Sequence, residues 1–424
     1  MDRLRDIAGQ IGANRVVLAL SIGRMGDAIG NSLLFIVIPL YVAQLPAPLV
    51  SLPESVRAGI LLSLFGLMAG GFQPLTGAMI DRLGHPKRFV VGGLLLLGAA
   101  TLSYTLATQY YELMISRFFQ GLAAALTIPA TLTILTASTE RRTRGGSMGI
   151  FSTSRVTGLG IGPLLGGYLH DHFGFNAVFF AGAGFVFLGV LLVQWWVPSV
   201  SAQLDTAESD SASPQPAKAE SDPPERPSFL SLLSPAFIAL GAATFTMAGA
   251  FALLSPLETQ FNQRLDQSAF AFSVAFSALM FTRLILQVPL GHWSDRIGRK
   301  PFVVGGLLLM TLATLPIGLV RTTWELVAVR VLQGVASAGI AAPTFALAAD
   351  LSRRGGEGRQ MSVVTTGFGL GIALGTLIAG VAAVVSLELP FIIGAALTLG
   401  GAILVVLFVP RDRPDSNSDS DEKE

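Results

Sequence analysis

Charge is scarce in this chain, so every charged side chain set among apolar neighbours needs a reason. Of its 424 residues, 13% are charged and 51% hydrophobic. Six charged residues lie deep inside long apolar runs: Arg24, Asp27, Arg117, Arg155, Arg283 and Arg330. In a bilayer such a charge costs roughly 2.5–3.5 kcal/mol on insertion scales. Arg24 and Asp27 are three residues apart, so they share a helix face and can pair. Asp27 falls near the centre of its run and is the one acid placed that deep; Glu112, Glu258, Glu325 and Glu388 lie toward one end of their runs and Asp350 toward the other. A central carboxyl beside arginines can be poised to take up and release a proton. Asp27 is therefore expected to carry a proton, with Arg117 modulating it. The competing reading is a locked Arg24–Asp27 pair that exchanges nothing. Arg330 is expected simply to bond helix carbonyls. Five deep arginines against one deep acid also mean that Arg24 and Arg283, if unpaired in a cavity, would favour an anion or a neutral compound over a cation.

Other chemistries are poorly represented. There is no cysteine, which excludes disulfides, thiolate metal sites and cysteine nucleophiles. No phosphate-binding loop or nucleophile triad appears, so neither an enzyme nor an ATP-driven pump is expected, and no cofactor. His170, Asp171 and His172 could hold a metal, but a solvated loop is the simpler reading. A net charge of +1 shows no bias toward nucleic acid.

The elements that must position these residues are membrane helices. A helix needs about 20 apolar residues to cross the hydrocarbon core. Twelve such runs can be read, near 15–44, 56–80, 89–108, 111–137, 147–170 and 176–197, then 235–261, 269–292, 302–320, 323–349, 360–384 and 389–410. Unpaired peptide groups cannot face lipid, and the ten-residue alternation of a membrane barrel is missing, so the expected class is all-α. The polar stretch 1–14 has no cleavage site, and the first run is expected to be retained. Trp195 and Trp196 suit an interfacial anchor. Of the 28 Lys and Arg residues, 20 fall at the end of the helices that carries both termini, and only Arg57, Arg264 and Arg321 at the other. That asymmetry predicts cytoplasmic termini in a plasma membrane. Residues 198–234, rich in Pro, Ser, Asp and Glu, read as a disordered cytoplasmic linker between bundles 1–197 and 235–410, and 411–424 as a disordered tail.

The two bundles repeat each other. Residues 90–121 and 303–334 are identical at 16 of 32 positions with a constant offset, including Glu112 with Glu325, Arg117 with Arg330, Gln120 with Gln333 and Gly121 with Gly334. One turn-forming segment also recurs: Gly77, Asp81, Arg82 and Gly84 match Gly291, Asp295, Arg296 and Gly298, the latter followed by Arg299. The fifth run carries Gly158, Gly162, Pro163, Gly166 and Gly167, and its counterpart keeps Gly371, Gly375 and Gly380. A parallel repeat of six helices about an axis normal to the membrane suits alternating access to a site between bundles.

These segments resemble the signature motifs of the major facilitator superfamily, over the whole chain, and the glycine run of the fifth helix resembles the antiporter motif of its twelve-helix drug:proton branch. The resemblance implies two six-helix pseudo-symmetric bundles and proton-coupled export of a small organic compound, driven by the proton gradient. It also implies that Asp81 and Asp295 form contacts that latch the inward-closed state, and that Arg117 corresponds to an arginine with a proposed proton-transfer role. One departure stands out: His85 and Pro86 replace expected basic residues, with Lys87 and Arg88 displaced. Uptake or exchange of an organic anion, and a membrane sensor without turnover, remain open alternatives. The expected partners are a small-molecule substrate, protons and lipid, and the expected state is a monomer.

Overall fold

The computed structural model describes residues 14–48, 51–139, 143–198, 234–352 and 357–410. The linker expected over 198–234 falls, but for its two end residues, outside the described residues, as does the tail 411–424. Every regular element described is helical. The first half contains α1 (Arg15–Gln44), α2 (Glu54–Leu83), α3 (Pro86–Leu102), α4 (Tyr110–Ala137) and α5 (Arg144–Trp196). The second contains α6 (Pro235–Ala252), α7 (Glu258–Leu265), α8 (Ala269–Ile297), α9 (Arg299–Thr314), α10 (Thr323–Leu351), α11 (Glu357–Ala382) and α12 (Leu389–Phe408).

Eleven helical stretches among the described residues are long and apolar enough to cross a membrane. One of them is double. With 53 residues, α5 would be about 80 Å long if straight, against a core of about 30 Å. It bends at Gly174, whose φ of 77° and ψ of −175° suit glycine and almost nothing else. Its two arms are the fifth and sixth spans, which restores the count of twelve. The seventh span differs from the single run expected over 235–261. It is α6, a 3-10 turn over Ser255–Leu257, then α7. Pro256 has no N–H to donate and its ring opposes the preceding turn, so the helix breaks there.

Small residues set the packing within each half. A Cβ built on Gly158 would lie 2.6 Å from the Met25 carbonyl, and one on Gly166 2.9 Å from that of Leu33. Those glycines, with Gly162 against Ser32, let the first arm of α5 lie directly on α1. In the second half, α11 lies on α6 in the same way, with Gly375 against the Gly249 carbonyl. The next glycine of each run turns to the other half. Gly167 abuts Ala269 and Phe270 of α8, and Gly380 abuts Ser55 and Gly59 of α2.

The halves meet most closely at the end remote from the termini, here the far end; the opposite one is the basic end. One apolar core there joins residues of both halves, among them Leu34, Val37, Leu257, Phe261, Phe272 and Phe391. Nearer mid-helix, Val156 of α5 packs with Leu279 and Met280 of α8.

Candidate transport pathway

Four charged residues converge where the halves face each other. Arg24 and Asp27 form an ion pair on one face of α1, as their spacing requires. Arg155 of α5 feels the charges of Arg24, Asp27 and Arg283, the last from α8 of the other half. All four sit toward the middles of their spans, Arg155 in the first arm of α5. The cluster therefore holds three guanidinium groups and one carboxylate. Asp27 is 9% exposed. Arg283 buries its Nε without a hydrogen-bond partner, and Arg155 lies 5.9 Å from the ring centre of Phe368. Under the offset of the repeat, Phe368 is the counterpart of Arg155 itself. A residue that touches its own counterpart lies beside the axis relating the halves. Ser255, whose hydroxyl donates to the Phe35 carbonyl at 2.8 Å, marks the same interface nearer the far end.

Arg117 is not part of this cluster. It is fully buried in α4, donating to Gln120 Oε1 at 2.9 Å and lying over the rings of Phe65 and Phe35. Gln120 in turn donates to Thr101 at 2.9 Å and accepts from Tyr104 at 2.9 Å. The second half repeats the arrangement. Arg330 donates to Gln333 at 2.8 Å and to the Phe251 carbonyl at 3.3 Å, Gln333 donates to Thr314 at 3.0 Å, and the guanidinium lies over the rings of Phe276 and Phe251. Gly121 and Gly334 complete each copy, bringing α4 against the Phe65 carbonyl of α2 and α10 against the Leu279 carbonyl of α8. The structure thus brings Arg24, Asp27, Arg155 and Arg283 together, and places Arg117 with Gln120 instead.

At the basic end, Gly84 ends α2 in the left-handed region with φ 65°, and Gly298 ends α8 with φ 113°. Arg299 binds both Asp295, at 2.9 Å, and Asp350, all within the second half. Arg82 and Arg296 are exposed, and the Asp81 side chain falls outside the described residues. The first glycines of the two motifs are not in tight contact: nothing lies near a Cβ on Gly77, and Ala342 is 3.7 Å from one on Gly291. Lys87 answers the displaced basic residues of the first motif. It donates to the Gln194 carbonyl at 2.9 Å, as its counterpart Lys300 donates to that of Val406 at 2.9 Å, each capping the last helix of its half.

The far end is held by polar contacts as well as apolar ones. Ser55 of α2 donates to the Gly380 carbonyl at 2.9 Å. Asp171, at the connection between the arms of α5, accepts from the Phe270 N–H of α8 at 2.9 Å and pairs with His170 at 3.2 Å. Burial works against its charge, yet the Phe270 N–H, the Ser268 hydroxyl and His170 together hold its carboxyl below the usual carboxylate range. This segment, read from sequence as a solvated loop, is a contact between the halves. Arg155 and Asp171 were the contributions hardest to see in sequence. The pairing of Arg155 with Phe368 across the repeat was the available signal for the first.

Two six-helix bundles related by a parallel repeat, closed on one another at one end beyond a buried charged cluster, have the architecture of a membrane transporter. The Major Facilitator Superfamily model matches residues 20–270 and 237–424, and the chain belongs to that family of membrane transporters. Multidrug resistance protein MdtG of Salmonella typhimurium (strain LT2) is 27% identical over 314 residues, covering 73% of this chain and 74% of that protein. The Salmonella arizonae protein of the same name matches to the same extent. Among solved structures, a bacterial homolog of the human lysosomal transporter Spinster superposes in its inward-facing, occupied form with a TM-score of 0.69. It shares 15% identity, over 93% of this chain and 94% of that one. Its unoccupied form gives 0.69 at 16% identity.

Proposed function

We propose that this transporter exports a small organic compound in exchange for protons, by rocking its two halves about the central cluster. In this reading it lies in the plasma membrane with the basic end, and so both termini, in the cytoplasm, and the far end faces out. The observation that carries it is the buried Asp27 carboxyl between the halves, paired with Arg24 and acting on Arg155, which also feels Arg283 of the other half. A carboxylate in that position can trade a proton against a ligand that competes for the same guanidinium groups. The likeness to multidrug resistance proteins supports export of a foreign compound.

The surplus of guanidinium groups supports a second feature of the substrate. Arg155 and Arg283 form no ion pair with a described carboxylate, so a neutral or anionic compound suits the cluster better than a cation. Uptake or exchange of an organic anion is the reading that this observation alone would favour.

One experiment separates these. Purified protein is placed in liposomes with an internal pH-sensitive dye and no gradient, and neutral, anionic and cationic compounds are added in turn. Proton movement triggered by substrate, opposite in direction to it and lost in Asp27→Asn, is the expected result. Substrate flux without proton movement would overturn coupling, and flux of anions lost in Arg283→Gln would then identify an anion exchanger.

A further inference from the structure

Glu258 is the first residue of α7, two positions after the Pro256 break, and it is completely buried. Neither carboxylate oxygen has a hydrogen-bond partner. Asn262 approaches from one turn along the same helix, and the charge that acts on Glu258 is the like charge of Asp171, from the other half. The cations of the elements around it are engaged elsewhere: Arg24 of α1 pairs with Asp27, and Arg283 of α8 lies in the central cluster. α7 packs on α1, α8 and the preceding 3-10 turn. Arg264 of α7 turns to the Gly318 carbonyl at 2.6 Å and to Glu388 at 3.5 Å. Arg57 of α2 donates to the Leu45 carbonyl at 3.3 Å, and His170 is taken by Asp171 at 3.2 Å. Leu257 and Phe261, on either side of it in sequence, belong to the apolar core that joins the two halves.

An ionised carboxylate in this place would be shut off from solvent with no counter-charge and with the Asn262 amide as its one neighbouring donor, which is too little for a buried ion. The packing of the closed far end accepts the neutral acid. Once the halves part there, water reaches the carboxyl and the charged form is again allowed.

We propose that Glu258 is a proton-binding site of the outer gate: it takes a proton from the outside while the far end is open and holds it while the far end is closed. Closure is then coupled to protonation, so external acid drives the carrier toward the form open to the basic end. This rests on the alternating-access reading and on the far end facing out, but not on Asp27. The proton at Glu258 is sealed from the basic end in the closed form, so its role is to bias the gate rather than to cross the membrane. If closure takes up one proton, the closed-to-open ratio changes up to tenfold per pH unit above the range of an exposed glutamate, near 4.3.

The absence of cysteine allows labels to be placed without background. Leu106 and Leu319 are exposed counterparts in the repeat, 79% and 62% accessible, at the far ends of the third and ninth spans. Both are changed to cysteine in the full-length protein, spin-labelled and measured in lipid nanodiscs from pH 5 to 8. The expected result is a closed fraction that falls as pH rises, by up to tenfold per unit in the closed-to-open ratio. All variants carry Asp27→Asn, which removes the central carboxyl from the titration; in that background Glu258→Gln is expected to make the ratio flat and biased to closed, and Glu258→Asp to retain the slope. The series is repeated in a His170→Gln background, since His170 faces the same rim. A slope that survives Glu258→Gln overturns the inference and leaves alternating access standing. Distances that never move, even when Gly380→Ala crowds the far-end contact, overturn both.

Discussion

Gly380→Ala tests whether the far-end contact between α11 and α2 is a working gate. A Cβ at this position would press into the Ser55 carbonyl and sit 3.2 Å from the Gly59 Cα, and both neighbours are backbone that cannot turn aside. Overpacking of this kind costs about 1–3 kcal/mol. Displacing α11 also weakens the Ser55 hydroxyl bond to the Gly380 carbonyl, which contributes about 1 kcal/mol. The helix itself gains about 1 kcal/mol from alanine, but that gain is present whether the halves are together or apart. The penalty exists only when the far end is closed. The equilibrium should therefore move by about 1–3 kcal/mol, or roughly 5–150-fold, toward the form open at the far end. The labelled Leu106→Cys and Leu319→Cys pair reads this directly as a longer distance. Gly369→Ala supplies the control, since it lies in the same helix and an added Cβ there would meet nothing within 4 Å. Equal distances in the two variants would refute the argument, because helix propensity alone would then account for both.

Gln333→Leu should lower stability by about 3 kcal/mol, since it leaves buried Arg330 without its side-chain acceptor and Thr314 without its donor; thermal unfolding in detergent measures this, and an unchanged midpoint would show that the network is idle. Asp171→Asn should weaken far-end closure, with a sign fixed by linkage. Its carboxyl is held below the usual range in the closed form, so its contribution is complete above the unpaired value near 3.9 and is lost as pH falls through the lower closed-form value. The factor by which Asp171→Asn lowers the closed-to-open ratio should therefore be constant from pH 5 to 8 and shrink below pH 4; a factor that grows on acidification would contradict the assignment.

The architecture was legible because lipid forces a simple text. Apolar runs of span length, basic residues gathered at one end, and a repeat strong enough to align by eye gave the two bundles and their helices. What the text hid is local. The break at Pro256 was hidden because the apolar run before it and the polar Glu258–Leu265 after it read together as one span with a polar end, and the fifth and sixth spans are divided by one non-helical residue, Gly174. The Arg24–Asp27 pair followed from spacing alone. Arg117 was linked to Asp27 by its depth and by its match to a motif arginine of the superfamily, and the structure surrounds it with Gln120 and two aromatic rings. A buried guanidinium can be accommodated by neutral acceptors and ring faces, and sequence depth does not say which. Asp171 was obscure for the opposite reason: its partner is a backbone N–H ninety-nine residues away, which leaves no trace in side-chain types.

The repeat itself separates scaffold from site. Residues that recur do the same structural job twice. Glu112 and Glu325 each accept a backbone N–H at the start of their helix, from Thr108 at 2.6 Å and from Arg321 at 2.8 Å. Lys87 and Lys300 cap helices, Gln120 and Gln333 hold arginines, and Gly167 and Gly380 bring the halves together. The charges of the central cluster do not recur. α1 and α6 start at Arg15 and Pro235, which places Arg24 and Asp27 opposite Thr244 and Met247, while Arg155 is opposite Phe368. Glu258 likewise falls opposite Ile38. Symmetry is what a rocking scaffold needs, because both halves must close equally well at either end. A site that binds one compound in one orientation and moves a proton needs the reverse. The residues that break the repeat at the interface are therefore the ones to which the chemistry of transport is assigned.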